Sequence, residues 1–342
     1  MDAPFRDNAF APQWHRLTPA SIVPDVTAAL AAAQEQIDAI AAQPLGEATF
    51  TSTFVALDDA VEVLSRPWGY VEHLQSVNET PELRAAYRET LPQVTDFFSR
   101  LPLNAALWER LRAVTDHPDA ANLGPVERRL VEERLAEFRE EGADLAPPAQ
   151  ARLADINREL SAVSQQFSEN VLDATNAWEK WVTEEGQLVG LPASAVASAM
   201  EAATEKGRPE AWRFTLQATS LVPVLKFAED EALREEVWRA YSRLGWDAPH
   251  DNTPLVRRLL ALRQEKAELL GRAHFADLVT ERRMARSGAA ALGFVEDLHQ
   301  RVRPAFEGEV EALRAFKAEA TGTPPAPLQP WETSFWAERQ RQ

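Results

Sequence analysis

Six histidines are the side chains in this sequence best suited to metal or acid–base chemistry: His15, His73, His117, His250, His274 and His299. A hydrolytic zinc site on a single helix needs two imidazoles one turn apart, so that both reach one metal, with a glutamate between them to activate water. No two of these histidines are four residues apart, and none is followed by glutamate. His299 lies beside the apolar stripe of a long helix, where partial burial is expected, while His250 and His274 lie in loops, where solvation is expected. Adjacent carboxylates recur at Asp58-Asp59, Glu132-Glu133, Glu184-Glu185 and Glu235-Glu236. Neighbours on a helix point about 100° apart, so these pairs read as solvated faces and not as the acid–base couple of a glycosidase. The sequence also lacks a G-x-S-x-G elbow, a Walker phosphate loop and a G-x-G-x-x-G turn, the main serine-hydrolase, NTPase and dinucleotide signatures. No catalytic, cofactor-binding or metal-ligating residue is therefore assigned.

Composition narrows the remaining classes. The 342 residues include no cysteine, which excludes disulfides, thiol catalysis and cysteine-bound zinc. A net charge of −17 argues against nucleic acid and anionic lipid as partners, since both demand a cationic footprint. The first residues, Met1-Asp-Ala-Pro-Phe-Arg-Asp-Asn8, lack the basic and apolar regions of a signal peptide, and Asn78-Glu-Thr80 reads as a chance sequon. No uncharged apolar run approaches the ~20 residues of a membrane span. The expected location is the cytoplasm.

The elements available to position any site are almost all helical. Ile156, Leu160, Val163, Phe167, Val171, Ala174 and Trp178 recur in steps of three and four, one stripe on a long helix. A second helix is expected to end at Glu140-Glu141-Gly142. A third opens at Thr253-Pro254, with threonine as its cap, and closes at Leu269-Leu-Gly271. Leu292, Val295, Leu298, Val302, Phe306, Val310, Leu313 and Phe316 predict a long helix over 290–319, kinked at Pro304. Shorter helices are expected over 19–42, 52–65, 81–100 and 104–115. Trp178–Thr183 and Trp212–Gln217 instead alternate apolar and polar residues, predicting a small sheet with a short helix near 194–205 between its strands. Pro147-Pro148 and Thr321–Pro327 read as joints. The fold class is all-α with one small β-sheet insertion around 178–217. It divides into an N-terminal helical subdomain, 1–145, and a second helical region, 146–342.

Several stretches, taken in order, resemble the thimet oligopeptidase and oligopeptidase A family of zinc metallopeptidases. They include Trp68-Gly-Tyr-Val-Glu-His73, Phe138-Arg-Glu-Glu-Gly142, Leu160-Ser-Ala-Val-Ser-Gln-Gln-Phe167, Gly190-Leu-Pro192, Ala232-Leu-Arg-Glu-Glu-Val-Trp238 and Gln329-Pro-Trp331. The resemblance runs from about residue 5 to residue 342. It implies a bilobal helical scaffold flanking a deep channel that admits short peptides. It also implies that the zinc helix, the third ligand and the substrate-orienting tyrosines lie C-terminal to everything present here. Zinc is thus expected only in the missing C-terminal domain, and this chain alone is expected to be inactive. Two departures are visible: Leu221 stands where the family carries an aromatic, and Tyr241–Asn252 is shorter than its counterpart.

Three readings follow. The chain is the N-terminal, non-catalytic part of a zinc-dependent oligopeptidase degrading short cytoplasmic peptides, with a C-terminal catalytic half supplied in cis or trans. Alternatively it is a standalone scaffold that binds peptides or a protein partner, or simply a soluble helical interaction protein. The last segment carries Trp331, Phe335 and Trp336 on a helix with no glycine or proline stop. The expectation is a severed chain that exposes these aromatics, together with apolar faces of other helices.

Overall fold

Proline opens one helix after another in the computed structural model, which describes residues 3–7, 9–78 and 80–342. Met1, Asp2 and Asn8 of the N-terminal stretch, and Glu79 of the sequon, lie outside the described residues. The first helices are α1 (Pro19–Ala41), α2 (Ala56–Val77), α3 (Pro81–Arg100), α4 (Ala105–Asp116), α5 (Pro125–Glu140) and α6 (Pro147–Ala177). Strand β1 (Glu179–Val182), α7 (Ala193–Glu205) and strand β2 (Trp212–Thr215) follow. The chain then continues through α8 (Ala218–Phe227), α9 (Glu231–Ser242), α10 (Thr253–Leu269), α11 (Phe275–Thr280), α12 (Gly288–Thr321) and α13 (Pro330–Arg341). Side chains cap several N-termini: the oxygens of Thr80, Asn104 and Asp230 accept from the amides of Leu83, Leu107 and Leu233 at 3.0–3.2 Å.

This is the expected all-α architecture with one small sheet. β1 and β2 pair antiparallel, with Trp181 opposite Arg213 and Val182 opposite Trp212. The helix stops expected at Gly142 and Gly271 are present, each glycine with positive φ. Three boundaries differ from expectation. Pro147 begins α6 instead of forming a joint, because proline at a first helical turn forfeits an amide that would have no partner anyway. The helix expected over 52–65 is a π-helical turn, Thr51–Val55, continuing into α2, which passes Pro67 to reach Val77. Asn252, not Thr253, occupies the cap of α10, and the Asp251 carboxylate accepts the Thr253 amide at 2.8 Å.

The described chain forms two compact units, Met1–Ala154 and Asp155–Gln342, and α6 contributes residues to both. In the first unit, Ile22, Val26, Ala29, Ala33, Ile37 and Ile40 make the buried stripe of α1, which packs on α2 and α3. In the second, Val182 and Phe214 of the sheet join Leu221 and Val224 of α8 and Leu233 and Val237 of α9 in a separate core. No helix among the described residues is long and apolar enough to cross a membrane.

Candidate interaction surface

The long helix expected over 290–319 is α12, Gly288–Thr321, a single element running through Pro304. Its apolar residues recur in steps of three or four from Leu292 to Phe316, which places them on one face. That face has two fates. At its C-terminal end Leu313 is buried and Phe316 meets Trp336 of α13 edge-on, with ring centroids 6.3 Å apart. Along the preceding turns Leu292, Val295, Leu298, Val302 and Phe306 are 48–61% exposed, and every residue from 292 to 309 is exposed.

Both ends of α12 are fixed. The Ser287 hydroxyl accepts the Ala290 amide at 3.1 Å, and the Asp277 carboxylate of α11 accepts the Gly288 amide at 2.9 Å. Glycine is required there, since a Cβ at position 288 would fall 2.8 Å from the Ala276 Cβ. At the far end Lys317 bonds the buried Glu332 of α13, whose other oxygen accepts the Gln329 amide at 2.8 Å. Burial works against the Glu332 charge. The hydrogen bonds from Lys317 and the Gln329 amide, with the positive charges of Lys317 and Arg234, outweigh it and hold the carboxyl below its ordinary range. Beside the stripe, Asp297 pairs with Arg301 at 2.8 Å and Glu307 with Arg303 at 2.7 Å. Just before α12, the tip of the preceding turn presents fully exposed Met284 between Arg283 and Arg286, and Arg286 adopts a φ of 64°.

The aromatics at the end of the chain behave differently from expectation. Trp331 and Phe335 are buried and Trp336 is half-buried, because α13 packs on α8, α9 and α12. The Trp331 indole donates to Glu231 at 3.3 Å, and the Arg234 guanidinium lies 4.1 Å from the Phe335 ring centroid. Arg234 also donates to the carbonyls of Ala228 at 2.6 Å and Glu229 at 3.1 Å. Burial lowers its pKa against the opposing pull of Glu231, Glu332 and Asp230. A cavity of about 770 Å³ opens between α9, α12 and α13, lined by Phe316, Lys317, Arg339, Glu229, Glu332 and Trp336 among others. Its charges are already matched: Lys317 to Glu332 and Arg339 to Glu229.

No three His, Asp or Glu side chains among the described residues are placed to hold a metal. His15, His73, His274 and His299 are exposed, and His117 and His250 half-buried. His299, expected to be partly buried, is exposed, because no described residue covers the stretch of α12 that carries it. The adjacent carboxylates contribute to ion pairs: Asp58 with Arg134, Glu133 with Arg129, Glu235 with Arg239 and Glu236 with Lys180. The buried Arg110 and Arg234 were not singled out from sequence. The available signal was an arginine in step with apolar residues, Leu107-Arg110-Val114 and Arg234-Val237.

Two family models match the sequence. "Neurolysin/Thimet oligopeptidase, N-terminal domain" matches residues 25–150 and "Peptidase family M3" matches residues 224–342. The chain is 35% identical to oligopeptidase A of Escherichia coli over 336 residues, 97% of this chain and 49% of that protein. It is 34% identical to oligopeptidase A of Salmonella typhimurium, over 100% of this chain and 50% of the relative. It is 29% identical to the dipeptidyl carboxypeptidase of E. coli, over 85% of this chain and 43% of that protein. The chain spans about half the length of the curated relatives it matches.

Proposed function

The chain belongs to peptidase family M3, with thimet oligopeptidase and oligopeptidase A, and on that premise we propose that it is the N-terminal, non-catalytic part of a zinc-dependent oligopeptidase. The observation that carries this reading is the match along nearly the whole chain to half of each oligopeptidase A, with the N-terminal-domain model falling on residues 25–150. Among the described residues, no group of His, Asp or Glu side chains fits a zinc site. In this reading the metal ligands and the general base belong to a C-terminal half, in cis or trans. The substrates are short peptides and the setting is the cytoplasm.

The experiment separates the two parts. The dialysed chain is expected to carry no stoichiometric zinc by elemental analysis and to leave a quenched fluorescent peptide uncut. Co-expressed with the C-terminal half of E. coli oligopeptidase A, it should be recovered in a complex whose chelator-sensitive cleavage exceeds that of either part. A molar equivalent of zinc on this chain alone would overturn the proposal. Failure of the halves to associate favours a second reading, a standalone scaffold that binds peptides or a protein partner. The burial of Trp331 and Phe335 supports that alternative.

A further inference from the structure

The apolar face of α12 is one surface with two fates, covered at Leu313 and Phe316 and bare from Leu292 to Phe306. α13 shows what covers it: an α-helix, Pro330–Arg341, laid against the last turns. The bare part spans about 21 Å, or four turns, at 1.5 Å per residue. It is anchored by α11 at one end and α13 at the other, so its spacing is fixed before any partner arrives. Contiguous exposed apolar surface of this kind marks an interaction site.

We infer that the stretch of α12 from Leu292 to Phe306 seats an amphipathic helix of about four turns from the C-terminal half, with carboxylates facing Arg283 and Arg286. This rests on the family reading above. Continuity with the α12–α13 interface argues for a helix, and the relatives' length, twice that matched here, supplies a polypeptide to provide it. Charge fixes the orientation. Asp297, Arg301, Arg303 and Glu307 pair within α12. Arg283 and Arg286 are exposed and make no ion pair among the described residues, in a chain of net charge −17. An acidic terminus or flank opposite them complements that end and opposes the reversed orientation.

The absence of native cysteine makes a direct test available. Leu298→Cys places a single thiol on the bare face, and Val126→Cys places one on an exposed position of α5 as control. Maleimide labelling, read by mass on this chain, is expected to slow about tenfold at position 298 when the C-terminal half of E. coli oligopeptidase A is bound, and to stay unchanged at position 126. Val295→Glu with Val302→Glu should abolish the complex. Arg283→Glu with Arg286→Glu should weaken it about tenfold at low salt and less at high salt, as expected for screened charges. Association without protection at position 298 overturns this inference and leaves the family reading standing. No association overturns both. Protection that rises with concentration of the chain alone assigns the face to a second copy and also overturns it.

Discussion

Arg110 is fully buried, and among the described residues no carboxylate bonds it directly. Its guanidinium donates to the carbonyls of Gln43 and Pro44, the side-chain oxygen of Gln43 and the hydroxyl of Ser52, at 2.7–3.2 Å. Burial lowers its pKa, with Glu47 opposing, yet an arginine remains charged. One rigid fork thus closes the turn after α1 onto the π-helical turn before α2. Lysine cannot span the same set of acceptors. Arg110→Met removes these hydrogen bonds from a buried position and should destabilise the protein by about 1.5–3 kcal/mol, read as a fall in the urea midpoint. Arg110→Lys should recover only part of that loss. Gly190 is fixed by a different constraint. Its φ is +89°, and a Cβ would fall 2.2 Å from the Phe227 carbonyl oxygen, which accounts for glycine in Gly190-Leu-Pro192.

At the scale of elements, α13 is held by a carboxylate whose pKa is depressed on folding. Such a group stabilises the folded state fully above its unfolded pKa, about 4.3 for glutamate, and loses that contribution as pH falls through the lower folded value. Glu332→Gln should therefore cost about 1.5–3 kcal/mol near neutral pH. Wild type and variant should converge in stability at acid pH, checked by hydrogen exchange in residues 330–341 across a pH series. Asp230, which burial penalises but which the Leu233 and Ala232 amides, Gln187 and Arg234 hold below its ordinary range, keeps some acid sensitivity in both. The elements themselves were largely legible. Apolar spacing located α1, α3, α4, α6 and α12, stop and cap residues located the end of α5 and both ends of α10, and alternation located β1 and β2. The failures share a cause. Spacing shows that a helix has an apolar face but not what covers it. Trp331 and Phe335 were expected to be bare and are packed, whereas His299, expected to be packed, is bare. Proline was read as a break at Pro147, where a first turn accommodates it.

At the scale of the molecule, the same distinction explains why the site was harder to read than the fold. Histidine spacing can be read directly from a sequence, but an interaction surface depends on which faces neighbours leave uncovered. The two compact units also raise a question of dissection. Their boundary, between Ala154 and Asp155, falls inside α6, where no turn interrupts the hydrogen-bond ladder. A fragment ending at Ala154 would keep eight residues of a 31-residue helix. Helix initiation is unfavourable and each added residue repays it only slowly, so a stub of that length does not persist unaided. Leu153, buried beside Gly142, depends on that stub. Residues 1–154 should therefore unfold at lower urea than residues 1–177, by circular dichroism, although both contain the whole first unit. α6 makes the two units thermodynamic dependants: melting that starts in one has an unbroken path of helix–coil propagation into the other.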